Sequence, residues 1–184
     1  MPYWEPLKEP SLKAEAAQST SKSCARAGMA AIKVFLDTDV LINWLAKEVD
    51  SVTGQALWRA SYQILKRVEA GKLRGFITIV NVMELRFVLR RKKRWSEGEI
   101  ASAIKKIQQI PNLTVLVPTE ADMIAAYNLQ GRLPLGPFDA LYYAIARATA
   151  DFLISRDQAL LTTINRAERK EIALTPEGFL GKIS

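Results

Sequence analysis

Four acidic residues stand where the chain could do chemistry: Asp37, Glu84, Asp139 and Asp157. Asp37 closes the apolar run IKVFL, and Glu84 follows the run GFITIV by four residues. Asp157 lies three residues beyond Ile154, and Asp139 opens an Ala-rich segment after the loop GRLPLGP. Carboxylates gathered in one cleft repel each other and raise their own pKa values unless a cation sits among them. Oxygen-only ligands suit Mg²⁺ or Mn²⁺. Each acid also has a purely structural role open to it. Asn81-x-x-Glu84 matches a capping box, Asp139 and Asp157 stand where a helix N-cap is favoured, and Asp39 can make a turn. Histidine is absent and Cys24 is the only cysteine. That excludes a Ser-His-Asp triad, a histidine-dependent ribonuclease, an HExxH protease and a cysteine-based zinc knuckle.

The remaining charge is basic. Lys and Arg number 26 against 19 Asp and Glu, a net charge of +7, which favours acidic partners such as nucleic acid. Six of those cations follow Glu84 closely: Arg86, Arg90, Arg91, Lys92, Lys93 and Arg94. At helical spacing Leu85 and Leu89 form an apolar stripe, and Arg86, Arg90 and Lys93 point away from Glu84 onto a solvated face. Arg91 lies two turns beyond Glu84 on nearly the same face, roughly 10 Å along the axis, and is the candidate to hold a nucleic-acid phosphate. Tyr143 falls on the Asp139 side of its helix at i+4, with core packing as its main expected role.

The elements that must position these residues alternate. Strands are read at 32–37, 75–80, 113–118, 151–155 and 172–176, and helices at 40–47, 53–70, 82–94, 97–109, 119–130, 139–150 and 157–167. The strands are continuous apolar runs, as a parallel sheet covered on both faces requires. The fold class is therefore a three-layer α/β/α sandwich. In such a sheet ligands bind beyond the carboxyl ends of the strands, where at least three of the acids project. With 184 residues and 49% apolar composition, one domain is expected, over 31–184. Residues 1–30 carry three early prolines and no apolar period, and read as a flexible extension. Met29, directly before AIKVFLD, is a candidate start of translation. The lone thiol fits a reducing compartment. No apolar run reaches the ~20 residues a membrane helix needs, so a cytoplasmic protein with no membrane contact is expected.

In order and spacing, four segments resemble the PIN-domain nuclease family and its VapC-like toxins: FLDTDVLI, IVNVMEL, PFDALYYAIARATADFLISRD and the tail IALTPEGFL. The resemblance covers about residues 32–182. It implies a five-stranded parallel sheet, a short terminal helix, Mg²⁺- or Mn²⁺-dependent ribonuclease activity, homodimers and often a cognate antitoxin. By position it implies metal binding by Asp37, Glu84, Asp139 and Asp157, with Thr38, Asp39 and Ser155 in support. Asp39 departs from the family pattern, in which that place more often holds Asn or Ser. Asp37-Thr38-Asp39-Val40 also resembles the opening of haloacid-dehalogenase-like phosphatases, with Asp37 as nucleophile and Asp39 as acid/base. A third reading is a non-catalytic PIN-like module that binds RNA or protein through its basic face.

A chain beginning at Met29 is expected to fold with the melting temperature of the full chain, and limited proteolysis should remove residues 1–28 first. Loss of folding on truncation would show that the extension packs on the domain.

Overall fold

The computed structural model describes residues 31–184; the extension and the Met29 start lie outside the described residues. The chain runs β1 (Ile32–Leu36), α1 (Thr38–Leu45), α2 (Leu57–Glu69), β2 (Leu73–Thr78), α3 (Ile79–Arg91), α4 (Glu97–Gln108) and β3 (Leu113–Leu116). It continues through α5 (Glu120–Gln130), α6 (Pro137–Thr149), β4 (Phe152–Ile154), α7 (Gln158–Glu168), β5 (Ala173–Leu174) and α8 (Pro176–Lys182). The strand order is β3-β2-β1-β4-β5, and every pairing is parallel.

Successive residues of a strand face opposite sides of the sheet, and both sides are apolar here. Val34, Leu36, Ile77, Ile154 and Leu174 pack toward one layer, with Ile64, Leu85, Leu89, Ile100 and Phe179 from α2, α3, α4 and α8. Phe35, Leu153 and Ala173 face the other, with Ala126, Tyr142, Ile145 and Leu161 from α5, α6 and α7. The expected α/β/α sandwich is thus present, with the sheet as its middle layer. Among the described residues, no helix is long and apolar enough to cross a membrane.

Most element ends move by a few residues, α2 for example starting at Leu57 rather than 53, and two of the shifts bear on a site residue. β2 ends at Thr78 rather than Val80, because Thr78 caps α3: its hydroxyl accepts from Asn81 N at 3.2 Å, while Asn81 Oδ1 accepts from Thr78 N at 2.7 Å. The capping box therefore runs Thr78–Asn81, not Asn81–Glu84, and Glu84 falls in the second turn of α3 with no capping duty. α6 starts at Pro137, since proline suits the first helical position, where its missing N–H is not needed. Asp139 is then a first-turn residue behind a Gly136 N-cap. At the end of α2, Gly71 takes φ +72°, the left-handed conformation that closes a helix and that favours glycine.

Leu85 and Leu89 are fully buried and seat α3 on the sheet. Leu89→Ala should remove about 2–5 kcal/mol of stability, seen as a lower denaturant midpoint with an unchanged m-value.

Candidate active site

The central strand β1 has β2 on one side and β4 on the other, so the chain order reverses at the β1/β4 pair. In open parallel sheets the crevice beyond such a switch point binds ligand. Asp37 leaves β1 there and Ser155, Arg156 and Asp157 leave β4, and the two ends are joined by Asp37 N donating to Ile154 O at 3.0 Å.

Asp37 is only 8% exposed. Its Oδ1 accepts from Thr38 N at 2.6 Å and its Oδ2 from Ser155 Oγ at 2.7 Å. Burial, then the neighbouring charge of Asp39, pushes the carboxyl up to about 8 despite these hydrogen bonds, with Glu84 adding to the rise. Asp39 Oδ2 accepts from Arg156 N at 2.7 Å and lies 3.1 Å from Ser155 Oγ. Its Oδ1 is buried with no hydrogen-bond partner among the described residues, and burial pushes this carboxyl up to about 6.

Glu84 reaches the same crevice from α3. Its Oε2 accepts from Thr38 Oγ1 at 2.6 Å and from Tyr142 OH at 2.8 Å. Thr38 Oγ1 accepts in turn from Asn81 Nδ2 at 3.0 Å, so the residue that caps α3 also orients the threonine. Burial, and with it the Glu84 carboxylate, holds the Tyr142 phenol protonated and above its ordinary range. Asp139, half-buried in the first turn of α6, is raised by burial and then by the charges of Asp157 and Glu84. Asp157 caps α7, its Oδ1 accepting from Ala159 N at 2.8 Å and Leu160 N at 3.0 Å. The structural role available to Asp157 is thus filled by one oxygen, while Oδ2 makes no hydrogen bond among the described residues.

The charge of Glu84 reaches both Asp37 and Asp139, and that of Asp157 reaches Asp139. Among the described residues, however, no three acidic side chains stand close enough to share an ion as they are. The donor set fits a hard divalent cation: oxygens only, two carboxyls raised partly by like charge, and one Asp39 oxygen without a partner among the described residues.

Three features escape sequence reasoning. Tyr142, not Tyr143, faces Glu84; the Tyr143 hydroxyl donates to Glu168 at the end of α7. Asn81 is buried as part of the Thr38–Glu84 chain. Arg156 is the third: its Nε donates to Asn43, its Nη1 and Nη2 to Glu177 of α8 at 3.0 and 2.8 Å, and its Nη2 also to Leu57 O at 2.8 Å. No local motif signals these, since each partner is distant in sequence. The basic segment lies on the solvated face expected, where Arg86 and Arg90 pair with Glu97 of α4, and Lys93 pairs with Glu48. Arg91 is exposed and lines a groove on α3, away from the hydrogen bonds of the acids. Asp39, with one oxygen tied to Arg156 N and the other buried, is not free to serve as the acid/base of a phosphatase.

A carboxyl whose pKa rises from 3.8 to about 8 on folding takes up a proton as the chain folds, so its ionisation opposes folding. In EDTA the melting temperature should fall as pH rises through that window, and Asp37→Asn should flatten the slope. Mn²⁺ at 100 times its Kd should add ~2.7 kcal/mol at pH 8, and Asp37→Asn or Asp139→Asn should abolish most of that gain. A melting temperature indifferent to Mn²⁺ would reduce the acids to capping and packing roles.

Comparison with known proteins finds the same fold. Solved structures of the same fold include a toxin–antitoxin complex from Klebsiella pneumoniae, with 16% identity, TM-score 0.55, and 78% of this chain and 97% of that chain covered. The VapBC2 complex of Rickettsia felis, bound to a promoter DNA fragment, gives 15% identity and TM-score 0.54, covering 78% of this chain and 97% of that one. A Pyrobaculum aerophilum protein gives 18% identity and TM-score 0.53, covering 83% and 91%. No curated protein matches in sequence. The family model for the PIN domain matches residues 34–164, from the strand that delivers Asp37 to the helix that Asp157 caps, and the chain belongs to the PIN domain family.

Proposed function

We propose that the protein is a divalent-metal-dependent endoribonuclease that hydrolyses single-stranded RNA, and that it is the toxin of a type II toxin–antitoxin pair. The observation that carries the reading is electrostatic and local: Asp37 is raised by burial and by the charges of Asp39 and Glu84, and Asp139 by burial and by those of Asp157 and Glu84. Asp37, Glu84, Asp139 and Asp157 would hold Mg²⁺ or Mn²⁺. When bound, such a cation supplies the Lewis acidity that attack of water on a phosphodiester requires.

The protein's own groups set the geometry of that attack. Thr38 and Tyr142 hold Glu84 Oε2 by two donated hydrogen bonds, which fixes the carboxylate while Oε1 stays without a partner among the described residues. Thr38 N and Ser155 Oγ orient Asp37 in the same way. Asp37 and Asp157 cap α1 and α7, so the partial positive charge of two helix N-termini offsets part of their repulsion. Water adds to phosphorus as the bond to O3′ breaks, leaving a 5′-phosphate and a 3′-hydroxyl. Nothing here uses the 2′-hydroxyl as a nucleophile, so selection of RNA falls to shape and to unpaired bases.

Two partners belong to this reading. A homodimer is supported by α5, where Met123, Ile124 and Tyr127 are all exposed and Ala126 is the one buried residue of the helix; large exposed apolar patches mark association surfaces. A cognate antitoxin is supported by the Klebsiella and Rickettsia structures of the same fold, which are toxin–antitoxin assemblies. A cytoplasmic location follows from an RNA substrate and the single cysteine.

Single-stranded RNA should be cut with Mg²⁺ or Mn²⁺ and not with EDTA, giving 5′-phosphate ends. Glu84→Gln keeps the side-chain size and, with no capping role to lose, should leave the fold intact while rates fall about a hundredfold or more, ~2.7 kcal/mol of barrier at the least. Cyclic 2′,3′-phosphate products, or normal cleavage by Glu84→Gln, would overturn the assignment; RNA binding without cleavage would return the non-catalytic module.

A further inference from the structure

The most strongly basic surface outside the acid crevice lies along α3 beyond Glu84. Arg86, Arg90, Arg91 and Arg94, with Met83 and Phe87, line an open groove of about 620 Å³. Met83 is 67% and Phe87 59% exposed, so a thioether and an aromatic ring stand in solvent among guanidinium groups. The one acid in the groove is Glu97 of α4, which pairs with Arg86 at 3.0 Å and Arg90 at 3.4 Å. Arg91 and Arg94 make no ion pair among the described residues. At about 100° per residue, Met83, Phe87 and Arg90 lie opposite the buried Leu85 and Leu89, and Phe87 and Arg91 fall on the edge nearest Glu84.

Exposed cations interleaved with an exposed ring make a surface that follows a phosphate backbone and stacks a base, without reading sequence. A second copy docked through the same face would set guanidinium against guanidinium, which opposes association. A single strand meets both features, because its phosphates complement the arginines and its unpaired bases offer a face to Phe87.

We propose that this groove binds single-stranded RNA adjacent to the acid crevice, with a base stacked on Phe87 and phosphates held by Arg91 and Arg94. The fate of the strand at the acids rests on the ribonuclease reading above; the binding itself does not. Strand selection then belongs partly to α3, away from the carboxylates.

The test uses the full chain and a fluorescein-labelled 12-nucleotide oligouridylate, with affinity read by fluorescence anisotropy in EDTA. Phe87→Ala should weaken binding about tenfold, and Phe87→Trp should restore it. The pair Arg91→Gln and Arg94→Gln should lower the slope of log affinity against log salt by about 1.4. Arg166→Gln, an exposed charge on α7 across the sheet, should leave the slope as it is. With Mn²⁺, the groove variants should raise KM more than they lower kcat. The groove assignment falls if Phe87→Ala binds normally, if Arg166→Gln costs as much per charge as the arginine pair, or if Phe87→Ala changes the sedimentation coefficient, which marks a protein–protein face. Binding with these dependences but no cleavage in Mn²⁺ would sustain the groove and remove the ribonuclease reading. Cleavage in Mn²⁺ with groove variants that bind normally would do the reverse.

Discussion

A carboxylate at the buried end of a central strand is the constraint around which this structure is arranged. Asp37 leaves β1 where the sheet switches direction, with almost no surface of its own. Charge in that position is costly unless it is hydrogen-bonded or compensated. The chain answers with Thr38 N, Ser155 Oγ and the N-terminus of α1, yet the carboxyl still sits far above its ordinary value. The register of β1 on β4 is what makes this possible, since Leu36 pairs with Ile154 and so brings Ser155 beside Asp37. A slip of one residue would turn Phe35 and Leu36 to the wrong layers and carry Ser155 away from Asp37.

The remaining acids are each held by an element anchored elsewhere. Glu84 rides on α3, which is seated by Leu85 and Leu89 and started by the Thr78–Asn81 capping box. Asn81 therefore serves twice, ending β2 and orienting the hydroxyl that grips Glu84. Asp139 is delivered by α6, and the same helix supplies Tyr142 one turn later, so one rigid element places an acid and the donor that steadies another.

Arg156 connects this centre to the chain's last helix. Its backbone N–H holds Asp39, while its side chain spans Asn43 on α1, Leu57 at the start of α2 and Glu177 on α8. The guanidinium fork suits such a junction because its donors leave in fixed directions and can meet several acceptors at once. The loop after β4 that carries Ser155 and Asp157 is thus tied down from both the sheet and the outer layer. The arginines of α3 and of the loop after it have the opposite character: one carboxylate, Glu97, serves Arg86 and Arg90, while Arg91 and Arg94 are exposed and line the groove with Phe87.

The order of strands and helices, the parallel sheet and the acids Asp37, Glu84, Asp139 and Asp157 were legible in the sequence, because unbroken apolar runs and residues at their ends are local patterns. Element ends were less so: β2 reads as running on to Val80 because Ile79 and Val80 are β-branched, and only the Thr78–Asn81 exchange in the fold turns them into helix. What tertiary structure alone decided was which side chain meets which. Tyr142 and Tyr143 are adjacent, and both are buried; the packing of α6 between β1 and α7 sends one hydroxyl to Glu84 and the other to Glu168. The pairing of Arg156 with Glu177, and of Asp39 with the backbone of Arg156, joins residues that no spacing rule relates. Periodicity is a property of neighbours in the chain, whereas burial, hydrogen-bond partners and carboxyl pKa values depend on groups that only the closed fold brings together.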